Sequence, residues 1–218
     1  MKSRITAVVV ACLLLTGCAA QPSPSPSPTA ASAASTPSPT PTPTPTPTAA
    51  PVVVMTLDGF ADPTGGTGAS FERGEEVVTF VGGLVGAAPV VTDIEDPWGN
   101  GTSWGTRYEW DGVAVSDFPE MGASVWVRSA FVGGHRVETA EGIAVGSTRA
   151  EAVAAGAWDI WDEDGDGTAE HLGIGSQEVP GTTSLSNPGA VGVEFVVLVL
   201  DGDVVTELQA PANDFSDI

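Results

Sequence analysis

Residues 19 to 51 limit where this chain can fold. Pro alternates there with Ser or Thr (Pro22-Ser23-Pro24-Ser25-Pro26, then Pro39-Thr40 repeating to Pro47-Thr48), with no charge and no large apolar side chain. Each proline holds φ near about −65° and the stretch has nothing to bury, so it is expected in polyproline II and not in a packed core. At roughly 3.1 Å per residue it reaches on the order of 90 Å. It reads as a stalk, either an unmodified spacer or, from its Thr-Pro density, an O-glycosylated one. Any core must therefore come from the residues after it.

The segment ahead of the stalk has a different character. Lys2 and Arg4 make a short positive region, Ile5 to Leu15 an apolar run of 11 residues, and Leu15-Thr16-Gly17-Cys18 closes it. The run is too short to cross a bilayer, which takes about 20 apolar residues, but suits the apolar region of an export signal. Leu15 to Cys18 resembles the lipobox of bacterial lipoproteins. That resemblance implies cleavage after residue 17 and a lipid on the Cys18 thiol, leaving the mature chain on the extracytoplasmic face of the cell membrane. Two acyl chains on one sulfur suffice for stable anchoring, at about 0.8 kcal/mol per buried CH₂. The other cysteine is Cys12, inside the discarded segment. An intramolecular disulfide and thiol catalysis are thereby excluded from the mature chain.

Charge narrows the partners. Without Lys2 and Arg4 the seven basic residues become five, all arginine, against 28 acidic ones, a net charge of −23. Such a surface repels phosphate backbones and anionic lipid heads, so nucleic acid is not an expected ligand. Cationic partners, Ca²⁺ among them, are favoured.

From Val52 onward the periodicity predicts an α+β fold, a short helix on an antiparallel sheet, occurring twice in tandem. In the first half, residues 52 to 140, Val77, Phe80/Val81 and Leu84 recur at helical spacing over residues 74 to 86, with Glu75 and Glu76 at the end where the helix dipole favours them. Pro97 to Gly105 reads as a loop. Arg107 to Val115, Ala123 to Val132 and His135 to Thr139 read as strands, the last two joined by a turn at Gly133-Gly134. In the second half, residues 141 to 218, Thr148-Arg149-Ala150-Glu151 is a capping box that opens a helix ending near Gly156. An acidic turn comes next, then a strand from His171 to Val179 and a hairpin from Val191 to Leu208 turning at Asp201-Gly202. Val193 to Leu200 is apolar on nearly both faces, which predicts a central strand covered on both sides.

Gly142 to Val153, with the later strand, turn and strand around Asp201-Gly202-Asp203, resembles small exported α+β domains of the outer-membrane assembly lipoprotein and β-lactamase-inhibitor-like type. The resemblance spans residues 142 to 208 and implies a sheet backed by helices that binds other proteins.

The sharpest local motif is Asp162-Glu163-Asp164-Gly165-Asp166-Gly167. Asp at the first, third and fifth positions with Gly at the sixth is the front half of a calcium loop, in which alternate carboxylates converge on one ion. Thr168 would add its carbonyl and Glu170 its carboxylate. Gly173 stands where an EF-hand needs a bidentate Glu, so the reading is a weaker Ca²⁺ turn or a solvated acidic turn. Gly101-Thr102-Ser103-Trp104-Gly105 matches a nucleophile elbow in letters, but an elbow needs a strand before it and a helix after it, and strand comes after it instead. His135 and His171 have no evident nucleophile beside them. Trp98 and Trp104 flank a Gly/Asn loop and are candidates to anchor a partner, while Trp110, Trp126, Trp158 and Trp161 are expected to pack. The resulting expectation is a non-catalytic, lipid-anchored module that binds a protein or a cell-wall component, with a calcium-binding module as the alternative and a hydrolase as the least favoured reading.

Overall fold

A computed structural model of the protein describes residues 49–62, 68–96, 99 and 101–216. The signal segment, Cys18, most of the stalk and Trp98 lie outside the described residues. The described chain falls in one compact unit, Pro47–Ile218, and forms an α+β fold.

The larger sheet has eight strands, all antiparallel. The first half contributes β4 (Val90–Glu95), β5 (Ser103–Trp110), β6 (Val113–Phe118) and β7 (Gly122–Val127). The second contributes β10 (Trp158–Trp161), β11 (His171–Glu178), β12 (Val193–Asp201) and β13 (Val204–Asn213). Their spatial order is β10-β11-β12-β13-β7-β6-β5-β4. The halves meet where β13 pairs with β7, with Leu208 opposite Val127, Gln209 opposite Trp126 and Ala210 opposite Val125. The two halves therefore share one sheet.

The smaller sheet, in order β3-β2-β1-β9-β8, is built from β1 (Val52–Met55), β2 (Gly59–Ala61), β3 (Ala69–Ser70), β8 (Phe131–Val132) and β9 (His135–Thr139). Its β1 runs parallel to β9, and the β8–β9 hairpin turns at Gly133-Gly134 as the sequence predicts. With helix α1 (Gly74–Val85) it closes one side of the large sheet. Val53, Met55, Phe60, Val77 and Val81 join Val115, Val125, Val127, Leu172, Leu198 and Leu208 in a single buried cluster. Helix α2 (Arg149–Ala154) adds Ala152 to the same core.

Both helices form where the sequence places them, for local reasons. Val77 and Val81 are one turn apart and fully buried, and Gly86 ends α1 in the left-handed conformation that glycine adopts without steric cost. The predicted capping box is present: the Glu151 amide donates to Thr148 Oγ1 at 3.2 Å, and the Thr148 amide donates to Glu151 Oε2 at 2.7 Å. These bonds hold the Glu151 carboxyl below its usual range. That contribution is present above the unfolded-state pKa and fades as pH falls through the lower folded value.

Several expectations need correction. The strand expected over Arg107 to Val115 is a hairpin, β5 to β6, because Gly112 takes φ of 76° at the Asp111-Gly112 turn and ends the extended run. The strand expected over Ala123 to Val132 breaks after Val127, and its last two residues enter the smaller sheet as β8. The tandem unit does not describe the whole molecule, since only the first half supplies strands to the small sheet, and α1 has 12 residues against 6 in α2. Finally, β12 is covered on one face only. Val196, Leu198 and Leu200 enter the core while Val197 and Val199 face the other way and stay half-buried.

One glycine sets how the uncovered side of β12 is finished. Gly173 lies opposite both Trp158 and Val197, and a Cβ on it would sit 2.4 Å from the Trp158 ring. The indole therefore lies directly on the backbone of β11 and meets Phe195 edge-on, with ring centroids 5.6 Å apart. Gly173→Ala must displace that ring. It is expected to lower unfolding free energy by about 1–3 kcal/mol in urea titration, and a midpoint equal to the parent's would show that the close approach is not needed.

Candidate functional site

The face of the large sheet away from the core carries the chemistry that the core does not use. Cross-strand neighbours define a row across all eight strands: Trp158, Gly173, Val197, Gln209, Trp126, Ala114, Glu109 and Val90. Neither helix and no strand of the smaller sheet packs on this face among the described residues, because α1, α2 and the small sheet all contribute to the core cluster on the opposite side.

Charges near the middle of the face are paired internally. Arg107 donates from Nε to Glu109 at 3.0 Å and lies 4.9 Å over the Trp126 ring. Arg128 pairs with Glu207, which also accepts from the Gln209 amide at 2.6 Å.

Toward the β10 end the face opens into a groove of about 490 Å³, lined among others by Trp161, Glu163, His171, Phe195, Val197 and Asn213. Trp161 corrects the expectation that it packs. It is 62% exposed, an unusual position for the largest apolar side chain. Sequence reasoning missed it because the four-residue β10 was read as part of an acidic turn. The alternation Trp158-Asp159-Ile160 at its start was the available signal for a strand.

The groove's far wall is held by the end of β13. Asp214 accepts from Ser184 Oγ at 2.5 Å, from Ser186 Oγ at 3.1 Å and from the Val193 amide at 2.7 Å. Burial pulls this carboxyl upward, but the bonds from Ser184, Val193 and Ser186 outweigh it and leave the pKa below its ordinary value.

The acidic loop between β10 and β11 forms the groove's rim. Asp162, Asp164, Asp166 and Glu170 each offer a carboxylate oxygen, and those oxygens all lie within 4.8 Å of one another. The loop amides hold the arrangement. Gly165 and Gly167 donate to the two oxygens of Asp162 at 2.7 and 2.8 Å, Asp166 to Asp164 at 2.9 Å, Thr168 to Asp166 at 2.7 Å, and Glu163 to Glu170 at 2.6 Å. Four converging carboxylates are the hard oxygen donors that Ca²⁺ takes, with the Thr168 carbonyl next in the motif and water to complete six to eight ligands. Gly173, at the position of the missing Glu, lies in β11 beneath Trp158, so the loop leads into a strand and the EF-hand is not formed.

The other candidates separate from this site. Ser103 opens β5, is exposed, and donates from Oγ to the Gly105 carbonyl at 3.0 Å, so the elbow geometry is not present. Trp104 is half-buried against Phe118, ring centroids 5.2 Å apart. His135 lies in the small sheet with Nδ1 3.2 Å from the Gly133 carbonyl. His171 alone of the two histidines reaches the groove. No described helix is long and apolar enough to cross a membrane.

Comparison with family models, curated proteins and solved structures finds no match to this chain.

The Asp214 bonds give a pH-dependent contribution of known sign. Because its folded pKa is lowered, it stabilises above the unfolded value of 3.8 and is lost as pH falls through the folded one. Asp214→Asn should flatten the acid limb of stability against pH in urea titrations, with less change between variants below that limb; an unchanged limb would remove Asp214 as its source.

Proposed function

We propose that the chain is an extracytoplasmic lipoprotein, held at the cell membrane through Cys18, whose stalk presents a non-catalytic module that binds a protein or cell-wall partner on the open face of its large sheet. The observation that carries the reading is this face, apolar and aromatic at its β10 end and left uncovered by the rest of the described chain. Exposed contiguous apolar surface marks interaction sites, and an exposed Trp is a common kind of anchor in them. The sequence alone points to Trp98 and Trp104 for partner contact. Trp104 is engaged with Phe118, so Trp161 replaces it as the favoured anchor.

The anchor is tested by growing cells with labelled palmitate. The parent is expected to take up label and partition into detergent, and Cys18→Ala to do neither. Equal labelling of both proteins would remove the lipid anchor from the reading. A hydrolytic activity lost on replacing Ser103 or one carboxylate would overturn the non-catalytic part.

A second reading, calcium binding by the loop at Asp162, Asp164, Asp166, Thr168 and Glu170, is favoured by the convergence of its four carboxylates. Calorimetric titration of the protein is expected to give saturable Ca²⁺ binding with Kd of about 10⁻⁴ to 10⁻³ M, as in extracellular modules, and Asp164→Ala to abolish it. A flat trace in millimolar Ca²⁺ would return the loop to ordinary solvated surface.

A further inference from the structure

The groove beside Trp161 has a composition that selects its occupant. Its wall and floor are aromatic and apolar through Trp161, Phe195 and Val197. Two polar groups there are unmatched. The Glu163 carboxylate makes no hydrogen bond or ion pair among the described residues. The His171 Nδ1 is buried with no partner, and in the tautomer protonated at Nε2 it is an acceptor. Both groups call for a donor, and one of them calls for a positive charge.

The chain has no cation left to supply it. All five arginines among the described residues are already ion-paired: Arg73 with Glu76, Arg107 with Glu109, Arg128 with Glu207, Arg136 with Glu138 and Arg149 with Asp203. The rim adds the carboxylates of Asp162, Asp164, Asp166 and Glu170, which raise the local concentration of cations at the groove. A second copy of this chain brings its own excess of negative charge and is repelled.

We infer that the groove docks a basic segment of a protein partner, with a Lys or Arg side chain laid along Trp161 and its charged head at Glu163. The stem of such a side chain covers apolar surface while the head stays polar. The indole face attracts the cation, and the carboxylate receives a charge-assisted hydrogen bond. An N–H of the same segment is placed to satisfy His171. This inference rests on the reading of the open face as a binding surface and names the chemistry of its ligand.

The test pans the full-length protein, in a mild nonionic detergent, against a random-peptide phage library at physiological ionic strength. Enriched peptides are then synthesised and titrated against the parent and against Trp161→Ala, Glu163→Gln, Trp126→Ala and Glu95→Gln, the last on the opposite edge strand. Trp161 and Glu163 are exposed, so these variants should unfold in urea as the parent does. The expected peptides carry Lys or Arg beside an apolar residue, lose about tenfold in affinity with Trp161→Ala and with Glu163→Gln, and are indifferent to Glu95→Gln. Peptides without a basic residue, or peptides bound equally by Trp161→Ala and Glu163→Gln, overturn the groove assignment. If Trp126→Ala weakens those peptides, the wider face survives as the binding surface. Enrichment of no peptide counts against both readings, and self-association abolished by Trp161→Ala would make the occupant a second copy and overturn the inference.

Discussion

The pairing of β13 with β7 is the contact on which the rest of the architecture depends. Three residue pairs join two antiparallel meanders edge to edge, so the strand edges that each would otherwise expose satisfy each other. Joined, the meanders form a sheet of eight strands with one set of alternate side chains turned to a common core. Val125 and Val127 on β7 and Leu208 and Ala210 on β13 all lie in that core, which ties the alignment of the two halves to burial. A slip of one residue would turn these four outward and bring Trp126 and Gln209 in. The register is therefore specified by hydrophobic burial, with no disulfide to hold it.

The same alternation creates the open face. Once α1, α2 and the small sheet occupy one side, the opposite row from Trp158 to Val90 has no described element to cover it. Its middle is finished by internal pairs, Arg107 with Glu109 and Trp126, and Arg128 with Glu207. Its β10 end is finished differently. Trp158 lies on the bare backbone of Gly173 and meets Phe195. Trp161, three residues on, pairs with His171 across a register shift in β10 and stays largely in water. An aromatic side chain left in water next to an acidic loop gains nothing for stability, and its retention makes physical sense where a partner completes the packing. The acidic loop and the groove are neighbours because β10 and β11 each carry one side of both: Trp161 leads into Asp162, and Glu170 leads into His171.

Local features were readable from the chain before the fold. The limits of α1, the Thr148–Glu151 capping box, the Gly133-Gly134 and Asp201-Gly202 turns, and the converging carboxylates of the acidic loop all depend on residues a few positions apart. Their physics is complete within one turn or one loop. The Asp111-Gly112 turn was equally local but was hidden inside a run of strand-forming residues. The small sheet was not readable, since β1 and β9 are parallel partners some 80 residues apart and nothing in either marks the other.

By itself the sequence determined the stalk, the expected anchor at Cys18, the acidity of the module and its α+β character, because these rest on composition, spacing and periodicity. Only the tertiary structure decided that the two halves share a sheet, that β12 is covered on one side, and that Trp161, Glu163 and His171 meet in one groove. Period-two alternation tells which residues of a strand share a face, but which face is buried depends on the elements that the chain brings against it from elsewhere.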